Sequence, residues 1–437
     1  MYMADLATEP RWSRVNGTFG ENSEWVAKMI REVVLGFQGE KLNSGSVALT
    51  TKHFPGGGSG KGGQDSHFEW GKAEVYPGGM FKNNLISFQA AIDAGTSAIM
   101  PYYSLPEGTK YEEVGFAFNK GIIQDLLRNQ MGFKGIINSD TGPLTRTPWG
   151  VENLTKQERY VKALEAGVNL FSGESDPEML INLIKDGKVD MGLIDSSVVR
   201  LLKEKFELGL FENPYVDVSE AEKIVNNEKF RERAALAMRK SIVLLRDENG
   251  ALPVKPKTKV YFESFPRNSR GRFNSEQQPN EPNIYTLNNN QYDVDFVKTP
   301  EEADMVVLWL QPGGNSLFRS TGEPISLSLS KCGVDIDYVN GISAKKTTVL
   351  VINYTNPWVI NEVYNEGTKN VVGVLATFGT TPDALLDVIT GKFNPSGKMP
   401  FSTPVSDEAV ENNKEDVPGY LEGEGYALFN YDEGMSY

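Results

Sequence analysis

The stretch GFKGIINSD at 132–140 is an apolar strand that ends in a carboxylate, Asp140. A second apolar stretch, SVALTTKHF at 46–54, ends in Lys52 and His53 and runs directly into a glycine-rich loop. In parallel α/β folds the catalytic side chains lie at the carboxyl ends of the strands, because the loops that follow the strands gather on one face. We therefore expect these three polar side chains to converge on one site.

Strand-like and helix-like stretches alternate over residues 1–211, which is typical of parallel α/β architecture. The predicted strands lie at 47–54, 97–103, 132–140 and 167–173, and the predicted helices at about 82–94, 115–130 and 155–166. The first clear strand–helix unit begins near residue 46, whereas a complete barrel of eight such units takes about 250 residues.

A second domain is predicted at 229–437, after a linker at 212–228 that begins where Phe211-Glu212-Asn213-Pro214 breaks the helical pattern. Its apolar strands lie at 259–262, 303–311, 347–354 and 370–378, and a helix is expected at 382–390. Buried strands separated by helices predict a three-layer α/β sandwich.

Composition excludes several classes of function. The net charge of −14 opposes binding to nucleic acid or to anionic membrane surfaces, but it does not repel a neutral ligand. No apolar run reaches the length of about 18 residues that a membrane-spanning helix needs. With one cysteine and two histidines, the chain offers neither a disulfide framework nor the ligand spacing of a zinc site. The glycine-rich loop lacks the ending of a nucleotide-binding loop, so no nucleotide is expected there.

Three motifs together resemble glycoside hydrolase family 3, the family of retaining β-glucosidases and β-N-acetylglucosaminidases: KHFPGGG at 52–58, GFKGIINSD at 132–140 and NPSGKMPFSTP at 394–404. The resemblance implies a partial (β/α)8-type barrel followed by an α/β sandwich domain. Residues 5–21 resemble the family segment that follows the third barrel strand. Roughly two opening units are therefore expected to be absent, and a leader could have been lost with them.

The resemblance also implies roles for individual residues. Asp140 matches the carboxylate that attacks the sugar in a retaining mechanism. Lys52 and His53 would hydrogen-bond hydroxyl groups of the innermost sugar, and Arg14 matches an arginine that contacts it. The family usually has a tryptophan after the nucleophile, where this chain has a threonine, so that wall of the sugar site is altered or is supplied by Trp149.

Two candidates remain open for the general acid and base. Asp65 and His67, in the glycine-rich loop, resemble the aspartate–histidine dyad of the N-acetylglucosaminidase branch, in which the carboxylate orients the imidazole. Glu323, in SLFRSTGEPISLSLS, resembles the acidic glutamate that the β-glucosidase branch supplies from its second domain.

The resemblance thus implies an exo-acting retaining β-glycoside hydrolase, a β-glucosidase that releases terminal glucose. The alternatives are a β-N-acetylglucosaminidase or β-xylosidase of the same family, and an inactive sugar-binding remnant. Such a hydrolase needs no cofactor, and its expected partner is a β-linked oligosaccharide or glucoside, without nucleic acid or membrane. An incomplete barrel has sheet edges that must be paired or covered, so a homo-oligomer or a fragment completing the barrel is also expected. The family favours a periplasmic or secreted location.

Overall fold

The computed structural model describes residues 3–264, 283–285, 291–313, 321–365 and 367–437. These residues form two compact units. The first unit contains residues 3–216 with the short segments 321–324 and 414–418, and the second contains the other described residues. The division after residue 216 falls inside the stretch that the sequence marks as a linker. The domain boundaries predicted at 211, 212, 228 and 229 stay a prediction.

Strands and helices alternate in the first unit, as the sequence predicts. Its helices are α1 (Ser23–Gln38), α2 (Phe81–Asp93), α3 (Lys156–Ala166), α4 (Pro177–Lys185) and α5 (Met191–Glu207), with a π-helical segment at Gly121–Gln130. Its strands are β1 (Thr50–Phe54), β2 (Ala73–Glu74), β3 (Ala98–Pro101), β4 (Leu105–Pro106) and β5 (Ile136–Ile137).

The site is organised by the parallel sheet β1-β3-β5. A parallel bridge from Asn138 to Leu170 continues the sheet beyond β5. On the other side of β1, the backbone amide of Ala4 donates to the carbonyl of Lys52 at 2.8 Å, so the N-terminal segment runs beside that strand. The carboxyl ends of these strands lie on the same edge, which confirms the (β/α) barrel-type arrangement predicted for this part of the chain.

The strand predicted over 132–140 is shorter than expected, because regular pairing is confined to β5. Gly132 has a φ of +77° and forms the turn that leads into the segment. Gly135 passes so close to the backbone of β3 that a Cβ there would lie 2.2 Å from the carbonyl oxygen of Ser97. The two glycines therefore serve a tight turn and a close backbone approach.

The second unit is an α/β sandwich built on a mixed sheet. Its helices are α6 (Val218–Ile224), α7 (Glu228–Lys240), α8 (Ile336–Ser343), α9 (Pro382–Ile389) and α10 (Asp407–Asn412). Its strands are β6 (Val243–Asp247), β7 (Lys259–Ser264), β8 (Asn283–Ile284), β9 (Asp295–Phe296), β10 (Met305–Leu310), β11 (Thr348–Asn353), β12 (Val371–Thr377), β13 (Thr403–Pro404) and β14 (Ala427–Phe429).

The strand order in the main sheet is β6-β12-β11-β10-β7-β8, with β9 paired to β7. Strands β7, β10, β11 and β12 are parallel, and β6 runs antiparallel to β12. Every residue of β10 and β11 is buried, as expected for strands that are covered on both faces. The predicted sandwich is confirmed. Across the described part of the chain, no helix combines the length and apolar character needed to span a membrane.

Candidate active site

Asp140 lies at the carboxyl end of the β1-β3-β5 sheet, three residues after β5. Its Oδ1 accepts hydrogen bonds from the hydroxyl of Tyr103 at 2.9 Å and from the backbone N–H of Thr141 at 2.7 Å. Its Oδ2 lies 3.9 Å from Nε2 of His53, and 14% of the side chain is exposed. The two donors bind Oδ1, while Oδ2 faces His53 near the end of β1.

His53, near the end of β1, is fully buried beside an equally buried carboxylate, Asp5. Nδ1 of His53 lies 2.9 Å from Oδ2 of Asp5, which also accepts from the backbone N–H of His53 at 3.0 Å. Burial lowers the pKa of His53 to about 4, with the charges of Arg14 and Lys52 acting in the same direction and Asp5 acting against it. The imidazole is therefore neutral at physiological pH.

Two cations flank this pair. Burial lowers the pKa of Lys52, and the charge of Arg14 adds to that effect, while Asp140 opposes it. Nη1 of Arg14 donates to the hydroxyl of Tyr102 at 3.3 Å, and the guanidinium carbon lies 5.7 Å from the centre of that ring. Burial alone would lower the pKa of Arg14, but Tyr102 and Asp65 raise it overall, so the guanidinium stays charged.

Asp65 is buried and is surrounded by hydrogen-bond donors. Its Oδ2 accepts from the hydroxyl of Tyr102 at 2.7 Å and from the indole N–H of Trp12 at 3.1 Å. Its Oδ1 accepts from the backbone N–H of His67 at 3.1 Å and lies 2.5 Å from Nδ1 of that imidazole. Burial would raise the pKa of Asp65, but the His67 imidazole, the charge of Arg14 and the Tyr102 hydroxyl lower it to about 2. Asp65 is thus a fixed anion that orients His67.

The His67 ring also contacts the tyrosine that binds Asp140. Its centroid lies 4.9 Å from that of Tyr103, with the rings close to perpendicular. Tyr103 in turn donates to Asp140. The structure therefore connects the loop bearing Asp65 and His67 to the predicted nucleophile through one aromatic side chain.

Trp149 supports that same loop. Its indole N–H donates to the backbone carbonyl of Ser66 at 2.8 Å, and only 8% of the residue is exposed. The ammonium of Lys72 lies 5.9 Å from the centre of the indole ring. The contribution of Trp149 to a wall of the sugar site stays a prediction.

Glu323 belongs to the short segment that groups with the first unit. Nε2 of Gln64 donates to the carbonyl oxygens of Gly322 and Glu323, at 3.2 and 2.9 Å. Gly322 lies against Trp70, because a Cβ at that glycine would be 2.8 Å from the indole side chain. The segment is therefore anchored next to the loop that carries Asp65 and His67, and Glu323 is exposed.

The structure adds residues to the candidate site that the sequence patterns do not single out. Asp5, Tyr102 and Tyr103 each bind a predicted site residue directly. Glu74 is buried under the glycine-rich loop, where its carboxyl group accepts from the hydroxyls of Ser59 and Ser104. The position of the two tyrosines just after an apolar strand was an available signal, whereas nothing local marks Asp5 or Glu74. Within the described ranges, no group of three or more His, Cys, Asp or Glu residues could hold a metal ion.

Comparison with known proteins places this arrangement in a family. A probable β-glucosidase C from Aspergillus flavus is 40% identical over 454 residues, covering 99% of this chain and 66% of the relative. A periplasmic β-glucosidase/β-xylosidase from Dickeya chrysanthemi is 35% identical over 448 residues, covering 95% of this chain and 64% of the relative. This chain therefore spans about two thirds of the length of these relatives.

The fold is shared with a β-glucosidase from Listeria innocua, solved in complex with isofagomine. The TM-score is 0.80 at 23% identity, and the match covers 100% of this chain and 66% of that one. The family model of the glycosyl hydrolase family 3 N-terminal domain matches residues 2–203, and the model of the C-terminal domain of that family matches residues 242–437. The motifs, the fold and both domain models agree, and the chain belongs to glycosyl hydrolase family 3.

Proposed function

We propose that this chain carries the catalytic machinery of a retaining β-glycoside hydrolase that acts on β-glucosides, with Asp140 as the nucleophile. The observation that most supports this function is the setting of Asp140. Its Oδ1 is held by the donors of Tyr103 and Thr141, whereas none of the hydrogen bonds among the described residues goes to Oδ2. A carboxylate oriented by one oxygen can attack an anomeric carbon with the other.

The cations and the neutral imidazole around Asp140 suit a polyhydroxylated ligand. Arg14 and Lys52 are donors, and the imidazole nitrogen of His53 that has no partner among the described residues is Nε2. A sugar ring presents hydroxyl groups that both donate and accept, so these three side chains would bind it in a fixed orientation.

We assign the general acid and base to Glu323 and keep His67 as the alternative. The Glu323 segment is anchored through its backbone carbonyls beside the His67 loop, and its side chain is exposed, so the carboxyl group can approach the oxygen of a leaving group. His67 has its own support, because Asp65 holds its Nδ1 at 2.5 Å and its ring contacts Tyr103. A β-N-acetylglucosaminidase activity is the second candidate function on that observation.

The relatives support a proposal for the substrate and the location. The names β-glucosidase and β-glucosidase/β-xylosidase support a β-linked glucoside as the main substrate and a β-xyloside as a second one. The word periplasmic in the name of the Dickeya relative supports a periplasmic or secreted location for this chain. Hydrolysis rates on aryl β-glucosides, β-xylosides and N-acetyl-β-glucosaminides would rank these substrates.

The nucleophile assignment is tested by Asp140→Asn, which removes the attacking carboxylate while keeping its shape. We expect kcat/KM for aryl β-glucosides to fall by several orders of magnitude, since a group that forms the covalent intermediate cannot be bypassed. Asp125→Asn is the matched control, because Asp125 is an exposed carboxylate of the same unit. More than about a tenth of the parent activity in Asp140→Asn would overturn the assignment.

Covalent labelling provides a second measurement. A 2-deoxy-2-fluoro β-glucoside with a good leaving group should trap the glycosyl-enzyme, and mass spectrometry should then locate the sugar on the peptide that contains Asp140. A label on another peptide would transfer the nucleophile role to that residue. Binding of a sugar inhibitor without either turnover or labelling would favour the inactive sugar-binding remnant instead.

A further inference from the structure

The contact between Asp5 and His53 decides which nitrogen of the imidazole carries its proton. Oδ2 of Asp5 accepts from the backbone N–H of His53 at 3.0 Å and lies 2.9 Å from Nδ1, and Oδ1 accepts from the backbone N–H of Gly57 at 2.6 Å. An ionised carboxylate can only accept hydrogen bonds. The proton of the imidazole therefore lies on Nδ1, where it is donated to Asp5.

The charge states of the pair support this tautomer. Burial would raise the pKa of Asp5, but the contacts with His53 and Gly57 and the charge of Arg14 lower it overall. Burial and the nearby charges of Arg14 and Lys52 lower the pKa of His53 to about 4. At neutral pH an anionic carboxylate thus faces a neutral imidazole, which has a single N–H and, on its other nitrogen, a lone pair.

That other nitrogen, Nε2, is buried and has no hydrogen-bond partner among the residues that the structure describes. It lies 3.9 Å from Oδ2 of Asp140. The ring is packed against Tyr102, whose centroid is 4.3 Å away, so the imidazole plane is supported from one side. A lone pair and a carboxylate oxygen cannot hydrogen-bond to each other, and a buried acceptor without a donor is unfavourable. Nε2 is therefore placed to accept a hydrogen bond from a hydroxyl group of a ligand.

We propose that Asp5 is a positioning residue that holds His53 as the Nδ1–H tautomer, so that the lone pair of Nε2 accepts a hydrogen bond from one hydroxyl group of the bound sugar. The identity of the ligand rests on the proposed function. The tautomer itself does not, because it follows from the contacts of Asp5 in the protein alone. In this arrangement the sugar donates to His53 and receives its hydrogen bonds from Arg14 and Lys52.

The tautomer can be measured directly, since the chain contains two histidines. In His67→Gln, long-range ¹H–¹⁵N spectra contain the signals of His53 alone. We expect a protonated Nδ1 and an unprotonated Nε2 at pH 7, with no change down to about pH 5, in line with the pKa of about 4. An Nε2–H tautomer, or an imidazolium at pH 7, would overturn the proposal whether or not the protein hydrolyses any glycoside.

Asp5→Ala tests the positioning role, because it removes the acceptor at Nδ1 and leaves the ring nitrogens intact. We expect the spectra to show a mixture of both tautomers and the KM for an aryl β-glucoside to rise about tenfold, the equivalent of one hydrogen bond of about 1.4 kcal/mol. Asp125→Ala is the matched control. A single unchanged Nδ1–H tautomer in folded Asp5→Ala would show that another group positions the ring. Should this variant fail to fold, the spectra of His67→Gln still decide the tautomer.

The direction of the sugar contact is tested with pairs of inhibitors that carry hydrogen or fluorine in place of each ring hydroxyl in turn. Fluorine can accept a hydrogen bond weakly but cannot donate one. At the position that contacts His53, we expect both members of a pair to bind about tenfold or more weaker than the parent inhibitor, and within about threefold of each other. If the fluorinated member binds nearly as well as the parent at every position, no hydroxyl donates to His53. If no inhibitor binds at all, the proposed function fails while the tautomer stands.

Discussion

Two adjacent tyrosines after β3 each bind a different carboxylate of the candidate site. Tyr102 donates to Asp65 and accepts from Arg14, whereas Tyr103 donates to Asp140 and packs against His67. Burial raises the pKa of both hydroxyls, and the neighbouring carboxylates add to that effect, so each remains a hydrogen-bond donor. Tyr103 therefore orients Asp140, the proposed nucleophile, and Tyr102 fixes the anion that orients His67.

At the same scale, the general acid can be identified by comparing Glu323→Ala with His67→Ala on two β-glucosides. An activated aryl leaving group departs without protonation, whereas the sugar oxygen of a disaccharide needs a proton. The true acid variant should therefore lose much more rate on the disaccharide, by roughly 100-fold or more, than on the aryl glucoside. We expect this pattern, with rescue of aryl-glucoside turnover by azide, for Glu323→Ala.

Glu69→Ala serves as the control, since Glu69 is an exposed carboxylate of the same loop region. If His67→Ala shows the leaving-group dependence instead, the acid is the Asp65–His67 dyad and the N-acetylglucosaminidase alternative is favoured. If neither variant shows it, both assignments are wrong.

Among the structural elements, the glycine-rich loop and the short strand β2 form one buried support for the site. Glu74 of β2 accepts from Ser59 at 2.9 Å and from Ser104 at 3.1 Å, and 1% of the residue is exposed. Burial raises the pKa of Glu74 from 4.5 to about 8, and the charges of Asp5 and Asp65 act in the same direction. The folded protein therefore holds Glu74 protonated at neutral pH.

The raised pKa of Glu74 predicts that the stability of the protein depends on pH. Because the folded-state pKa is above the unfolded value of 4.5, the contribution of Glu74 is fully present below about pH 4.5 and is lost as the pH rises through about 8. Glu74→Gln keeps the shape of the side chain and cannot ionise. Between pH 5 and 8, the fall in its melting temperature should therefore be smaller than the fall in the parent, and the two falls should differ by about 3 °C or more. Thermal unfolding by circular dichroism would measure this, with the exposed Glu69→Gln as control. If the melting temperatures of Glu74→Gln and the parent change equally with pH, Glu74 does not cause the pH dependence.

On the scale of the whole molecule, the surface of the first unit carries two apolar helix faces. On α1, Trp25, Met29, Val33 and Phe37 follow one another at four-residue spacing, and Trp25 and Phe37 are 44% and 48% exposed. On α5, the exposed apolar residues include Val199, Leu202 and Phe206, at 63%, 41% and 58%. Contiguous apolar faces of this kind are typical of interaction sites or of association-prone surfaces.

We therefore predict that the 437-residue chain self-associates in a concentration-dependent manner. Val199→Lys combined with Phe206→Lys should shift the population towards the monomer, because two charges interrupt the apolar face of α5. Size-exclusion chromatography with light scattering would measure the mass, and Glu207→Lys on the same helix is the control for added positive charge. A parent protein that stays monomeric up to about 1 mM, or a double variant that associates as strongly as the parent, would contradict the prediction.

Local sequence patterns were sufficient for the elements that carry the site. The runs that end in KHF and in INSD predicted the strands that place His53 and Asp140 at one sheet edge, and the structure confirms both strands, with β5 shorter than expected. The buried strands β10 and β11 were equally recognisable, since each is a continuous apolar run. The catalytic and sugar-binding roles of the predicted residues stay predictions.

What the sequence by itself determined is the alternation of strands and helices, the family and the residue types at the strand ends, because these depend on periodicity and on short motifs. Only the tertiary structure decided which side chains bind each other. Asp5 reaches His53 across 48 residues, and Tyr102 reaches Asp65 across 37. Such contacts depend on how the strands pair and where the loops close, and no local pattern encodes them. The tautomer of His53 and the raised pKa of Glu74 arise from burial and from distant partners, so they exist only once the chain has folded.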